Sequence, residues 1–268
     1  MLVHPLSDTS ITGFSVHPST VVGIAGLAAL YAWRARREGR SPSGVQAGAF
    51  AGGLVTMFLS LNGPLHDLSD YYLFSAHMVQ HLMLTFVVPL LLVVGTPGWM
   101  LRPALRIPAV RASARWLTRP ATCFVLFNLA IAGWHLPPLY NLAMANHNVH
   151  IVEHLMFMAT AVLMWWPLLS PLPELPRLSY PGQMLYCFLM SIPMSVVAIY
   201  VAMADHVLYP AYAAAPRIWG ISPLDDQMIG GLIMWIPGGL FFYGVMTVIF
   251  FKWAARDEDT VAASQVPA

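Results

Sequence analysis

Two short stretches carry residues that could do chemistry. HMVQH, residues 77–81, opens the apolar run YYLFSAHMVQHLMLTFVVPLLLVV, and HIVEH, residues 150–154, repeats its spacing. Residues four apart on a helix share a face, one turn above the other, so His77 and His81 offer two imidazoles to one region, as do His150 and His154. The i+3 position lies on that face too and is Gln80 in one pair, Glu153 in the other. Two such helices supply four nitrogen ligands, and imidazole suits copper, zinc, iron and nickel. Gln80 or Glu153 can orient a ring through its second nitrogen, and Glu153 can also ligate directly. His135, in WHLPPLY, lies at similar depth. Ionisable groups inside a span are costly and are functional candidates by default.

The bland readings differ by residue. His4, His17, His66 and His147 stand alone and are read as interfacial histidines without direct chemistry. Met78, Met83, Met144, Met156, Met158, Met203 and Met228 reach the same depth. Methionine fills gaps in any helix bundle. It counts as a ligand only for copper(I), which accepts thioether, and Met78, Met156 or Met158 could then serve if they face inward.

The elements that must position these residues are membrane helices. The chain has 268 residues, 58% hydrophobic and 9% charged, against about 25% charged in a soluble domain. Mean hydropathy is +0.65. The fold class is all-α: a polytopic membrane protein with seven spans, at about 18–34, 44–62, 71–94, 121–137, 148–169, 182–204 and 227–252. Residues 1–17 form an outer segment, 18–252 the membrane domain, and 253–268 a polar, disordered cytoplasmic tail. The N-terminus lacks a basic region and a cleavage site, so no cleaved signal is expected. Gly44, Gly48 and Gly52 make a small-residue face on the second span, read as a close-packing surface. Pro89, Pro167, Pro193 and Pro237 allow kinks. Net charge near +1 says nothing about nucleic acid, and no basic patch interleaved with aromatics suggests it, so no nucleic-acid partner is expected.

Basic residues set the orientation. Arg34, Arg36, Arg37, Arg40, Arg102, Arg106, Arg111, Arg115, Arg119, Arg177, Lys252 and Arg256 all fall on one side, twelve of the 13. Only Arg217 lies opposite. The crowded side is read as cytoplasmic, with the N-terminus outside and the C-terminus inside. All ten histidines, adding His206 to those named, then lie toward the outside. Asp67, Asp70, Asp205, Asp225 and Asp226 fall in outer loops. Trp33, Trp99, Trp165, Trp166 and Trp253 mark the inner interface, and Tyr71, Tyr72, Tyr140, Tyr209 and Trp219 the outer. Cys123 and Cys187 lie in the cytoplasmic half, so the site is histidine-rich and thiol-free. Copper, zinc and haem iron all remain open on spacing alone.

Three segments, FSAHMVQHLMLTFVVPLLLVVGTP, WHLPPLYNLAMANHNVHIVEHLMFMATAVLMWWPLL and WGISPLDDQMIGGLIMWIPGG, resemble the bacterial CtaG family across about residues 18–252. These are seven-helix assembly proteins of the caa-type cytochrome c oxidase, linked to copper. A Cox-eleven-like single-span copper chaperone shares the CtaG name, and this chain lacks its soluble domain and cysteine motif. The resemblance implies oxidase maturation and carries motif positions onto His77, Gln80, His81, His135, His150, Glu153, His154, Asp226, Gln227 and Met234.

The expectation is a copper-binding assembly factor of the bacterial inner (plasma) membrane, not an enzyme. Its metal site faces the periplasm or exterior, contacts membrane lipid only around it, and delivers copper to an oxidase subunit or a periplasmic copper chaperone. His77, His81, His150, His154 and His135 are the ligand set, with Gln80, Glu153, Met78, Asp226 and Met234 in support. The alternative is a haem- or metal-dependent redox enzyme, since paired histidines also describe haem ligation or a dinuclear site, with Glu153 moving protons. No CxxCH for covalent haem is present. A metal transporter needs polar groups through the full depth, and the inner halves of the spans offer mainly Asn128 and Ser191. A retinal protein needs a mid-membrane lysine, and Lys252 is the only one, at a span end.

Overall fold

Prolines start most of the helices, where a missing N–H costs nothing and the fixed φ already fits. The structure, a computed structural model, describes residues 14–264, so His4 and nearly all of the expected outer segment lie outside the described residues. In chain order the helices are α1 Pro18–Glu38, α2 Gly44–Leu61, α3 Gly63–Tyr71, α4 Phe74–Leu82, α5 Val88–Gly95, α6 Gly98–Leu101, α7 Pro108–Leu117, α8 Pro120–His135, α9 Pro137–Ala145, α10 His147–Leu169, α11 Tyr180–Ala202, α12 Pro210–Ala213 and α13 Pro223–Ser264. No strand occurs among the described residues.

Each expected span has a helix in its place. Five are long and apolar enough to cross a membrane: α2, the continuous stretch Phe74–Gly95, α10, α11 and α13. The bent pair α8 and α9, turned by 73° at Leu136 and Pro137, makes a sixth. The 21 residues of α1 include Arg34, Arg36 and Arg37 near its end, and it is not among the five. Large apolar side chains such as Leu129, Leu185 and Val196 face outward, which suits lipid and not water. Where a disordered tail was expected after Lys252, α13 continues unbroken to Ser264.

Phe74–Gly95 is one helix with a π turn at Met83–Val87 between α4 and α5. Its cause is local. Pro89 has no N–H to give the carbonyl of Thr85, and its ring crowds that carbonyl. The indole Nε1 of Trp165 donates to this carbonyl instead, at 3.3 Å. The Thr85 hydroxyl in turn donates to the carbonyl of His81, 2.7 Å away. Trp165 is therefore buried in the core, not at the inner interface as expected.

Of the expected glycine face only Gly52 meets a neighbour, where a Cβ would lie 3.8 Å from the Leu91 side chain. A Cβ on Gly44 or Gly48 would meet nothing within 4 Å. The close approach lies elsewhere: a Cβ on Gly95 would collide with the backbone of Phe50, so α2 and α5 touch at that glycine. The arginine-rich ends gather at one end of the bundle. Arg34 donates to the carbonyl of Met100 (3.2 Å), Arg102 pairs with Glu174 (2.7 Å), and the Tyr31 hydroxyl donates to the carbonyl of Gly95 (2.9 Å). The apolar core of Phe127, Phe157, Met164 and Phe242 fills the middle. The histidines crowd the other end.

Candidate metal centre

Asp226 fixes the helix that carries HMVQH. Its carboxylate, at the start of α13, accepts from the backbone N–H of Phe74 (2.7 Å), that of Ser75 (3.1 Å) and the Ser75 hydroxyl (2.5 Å). It is thus a long-range cap on the first turn of α4, a position that favours negative charge. Asp226 positions the histidines and takes no place beside them. Gln227 ties down the loop that precedes α13 by accepting from Leu208 N–H at 2.7 Å and donating to the carbonyl of His206 at 3.1 Å.

With α4 set and α10 packed on the π turn and α5 that continue it, the two histidine pairs face each other. Ring centres lie 4.1 Å apart for His77 and His81, 4.4 Å for His150 and His154, 5.6 Å for His77 and His150, and 5.5 Å for His81 and His154. His135, on α8, sits 5.8 Å from His81. One ligand atom each from His77, His150 and His154 lies within 4.8 Å of the others, and the same holds for His77, His81 and Glu153. All six side chains are buried. Both nitrogens of His77 and His81, Nε2 of His135 and of His154, and both carboxylate oxygens of Glu153 have no hydrogen-bond partner. Buried polar atoms are ordinarily satisfied. So many bare donor atoms converging on one spot fit a cation.

Gln80 does not serve these rings. It turns to the other side of α4, where its amide donates to the carbonyl of Ser60 (2.7 Å) and meets Nδ1 of His66 (3.0 Å), and its oxygen accepts from Ser69 (3.1 Å). The segment expected to be an outer loop is instead the buried helix α3, and it delivers His66 and Asp70. Oδ2 of Asp70 lies 3.5 Å from Nε2 of His66 and 3.7 Å from Nδ1 of His150. A carboxylate beside one imidazole nitrogen leaves the other free of it, the arrangement found around histidines that hold metals. Burial alone would raise the Asp70 carboxyl, but the adjacent His66, His150 and His77 outweigh it and hold it below the usual range. His66 was read as a bystander and Asp70 as a loop acid. Their i,i+4 spacing in HDLSD was the available signal.

Three tyrosines close the end. Tyr140 and Tyr209 were read as interface markers but are each 1% exposed. Tyr140 donates to the Tyr212 hydroxyl (3.1 Å), Tyr212 donates to the carbonyl of Ser69 (2.7 Å), and Tyr209 donates to the carbonyl of His135 (2.9 Å). Burial holds the Tyr212 phenol well above its usual value, so it stays a neutral donor. Arg217, the one arginine or lysine at this end among the described residues, wraps the loop by donating to the carbonyls of Tyr212 and Ala215.

Met78 and Met234 are buried beside the cluster, and Met158 lines a groove at its flank. Met156, Met203 and Met228 point outward. The groove, about 560 Å³, runs between α1, α2, α5 and α10 and reaches His17, His66, His147, His150 and His154. The ring of His17 packs on that of His66 at 4.4 Å. His206 stands apart, exposed and paired with Asp205 at 2.7 Å.

Residues 27–256 match the family described as cytochrome c oxidase caa3 assembly factor (Caa3_CtaG). The chain is similar to uncharacterized proteins of Mycobacterium bovis and Mycobacterium tuberculosis, each 29% identical over 254 residues, covering 87% of this chain and 37% of theirs. An uncharacterized protein of Mycobacterium leprae is 26% identical over 242 residues, 84% of this chain and 36% of that protein. The chain thus spans little more than a third of the length of these relatives. No solved structure matches.

Proposed function

The chain belongs to the cytochrome c oxidase caa3 assembly factor family, and from that premise we propose that it binds copper in the histidine cluster and hands it on during oxidase assembly. The arginine-rich end faces the cytoplasm under the positive-inside rule. The N-terminus and the cluster then face the outside, α1 serves as the seventh span, and a nascent oxidase subunit or an external copper chaperone is the exchange partner.

The observation that carries this reading is the convergence of buried, unpartnered donor atoms from α4, α8 and α10. Copper is the cargo. His77, His150 and His154 would hold it, with His77, His81 and Glu153 as a second, overlapping set and His135 beside His81. The protein's own work is to keep these groups buried and aimed, through the Asp226 cap, the Asp70 carboxylate near His150, and the tyrosine lid. Ligands on three helices can leave an ion one at a time, which suits transfer.

Ring centres 4.1–5.8 Å apart leave room for ions between the imidazoles but none for a porphyrin plane. That favours copper or zinc over haem. Transport through the chain is disfavoured because the main polar side chains deeper in the bundle spend their donors on protein groups: Asn128 donates to the carbonyl of Phe124 (2.8 Å) and to Met190 Sδ (3.6 Å), and Ser191 to the carbonyl of Phe188 (2.7 Å).

The test is metal content and the optical spectrum of the detergent-purified protein beside a His77→Ala/His154→Ala variant. About stoichiometric copper, lost in the variant and without a Soret band, is the expected result. A Soret band, or no metal in either protein after copper-replete expression, overturns the reading.

A further inference from the structure

Below the four facing imidazoles lies a second donor set of different chemistry. Met78 on α4, Met194 on α11 and Met234 on α13 are each at most 4% exposed. With His81 and His135 they line a small internal cavity of about 10 Å³, close to the size of one water-sized probe. Nδ1 of His135 is held at 2.7 Å from the carbonyl of Ile131. That leaves Nε2 as the donor, and it has no partner, nor does either nitrogen of His81. The ring centres are 5.8 Å apart, a separation that metal–nitrogen bonds of about 2.0 Å can bridge. Met194 has a seat made for it: a Cβ on Gly238 would fall on its terminal methyl.

Methionine often fills irregular gaps. Gap filling accounts for one flexible side chain. It does not account for three thioethers from three helices lining one cavity with two imidazoles that together hold three unpartnered nitrogens. Thioether selects copper(I), whereas the imidazole and carboxylate group above equally suits zinc or copper(II).

We propose that Met78, Met194 and Met234, with His81 and His135, form a second, copper(I)-selective site beneath the upper group made by His77, His150 and His154 and the overlapping set His77, His81 and Glu153, with His81 shared between the two. This rests on the reading of the upper group as a metal site. The ion enters and leaves as copper(I), so movement between the sites is ligand exchange at His81 with no electron transfer.

The experiment uses the full chain in detergent under anaerobic conditions. Wild type and Met194→Leu/Met234→Leu are titrated with copper(I) against a chromogenic chelator, and separately with zinc(II). Leucine conserves volume and apolarity, so the core is retained. The expected result is a copper(I) affinity lower by at least about tenfold in the variant, the scale seen when a group supporting a metal is lost, with zinc(II) affinity unchanged. X-ray absorption of copper(I)-loaded wild type should show sulfur scatterers that the variant lacks. Cys123 and Cys187 are present in both proteins and cannot supply the difference. A copper(I) complex with nitrogen and oxygen scatterers alone, or equal copper(I) affinities, overturns the proposal. The wild-type spectrum needs no variant, so a folding defect does not shield it. Wild type binding neither metal would overturn the reading of the upper group as well, whereas zinc(II) binding without sulfur-ligated copper(I) overturns only the second site.

Discussion

Oδ2 of Asp70 lies 3.7 Å from Nδ1 of His150. The two residues are 80 positions apart in sequence, and no pattern along the chain joins them. The separation is longer than a hydrogen bond and sets a negative charge beside Nδ1 of His150, on the side of the ring away from Nε2. Asp70→Asn removes the charge and keeps the shape. Metal affinity should fall about 10- to 100-fold, the usual effect of losing such a supporting carboxylate. Chelator competition measures it. An unchanged affinity would mean that Asp70 serves only His66.

Glu153 is 1% exposed and neither oxygen has a partner. Leaving a buried carboxyl unsatisfied is costly. In metal-free protein, Glu153→Gln should therefore leave the melting temperature unchanged or raise it. With metal the order reverses. A ligand at 100 times its Kd stabilises by about 2.7 kcal/mol, and the variant should lose part of that shift. Equal metal-induced shifts in both proteins would remove Glu153 from the ligand set.

Asp226 accepts three hydrogen bonds at the start of α4. Asp226→Ala leaves two backbone donors bare and should cost about 1–3 kcal/mol. Because α4 carries His77 and His81, metal affinity should fall with it, and Asp226→Asn should recover much of both. Thermal melts and metal titration on the three proteins decide. Loss of affinity with no loss of stability would argue for direct ligation, against the geometry.

Gly95 and Gly48 give opposite expectations. At Gly95 an added Cβ strikes the Phe50 backbone, which cannot give way cheaply. Gly95→Ala should destabilise by about 1–3 kcal/mol. At Gly48 a Cβ meets nothing within 4 Å, so Gly48→Ala should be neutral or stabilise by up to about 1 kcal/mol. Melting curves in one detergent compare them. A large loss at Gly48 would restore the small-residue face as a contact, between copies of the chain.

The local half of the site was legible in the sequence. The helical period alone puts His77 above His81 and His150 above His154, because neighbours four apart share a face whatever the fold. Apolar run length placed the spans, since a bilayer demands about 20 residues per helix. The same local rule was silent on what each face meets. It put Gln80 beside its histidines, but packing with α2 and α3 drew it to Ser60 and His66.

What the sequence determined by itself was therefore the all-helical membrane class, the two histidine faces, and the separation of arginine from histidine ends. Only the tertiary structure decided that those faces meet, that α3 folds in to bring Asp70 to His150, that Tyr140, Tyr209 and Tyr212 close the end, and that Met194 joins Met78 and Met234. The physical reason is range. Helix periodicity and hydropathy are properties of a few consecutive residues. Each of these other relationships joins helices far apart in the chain, and depends on how side chains of particular size and polarity share one buried space.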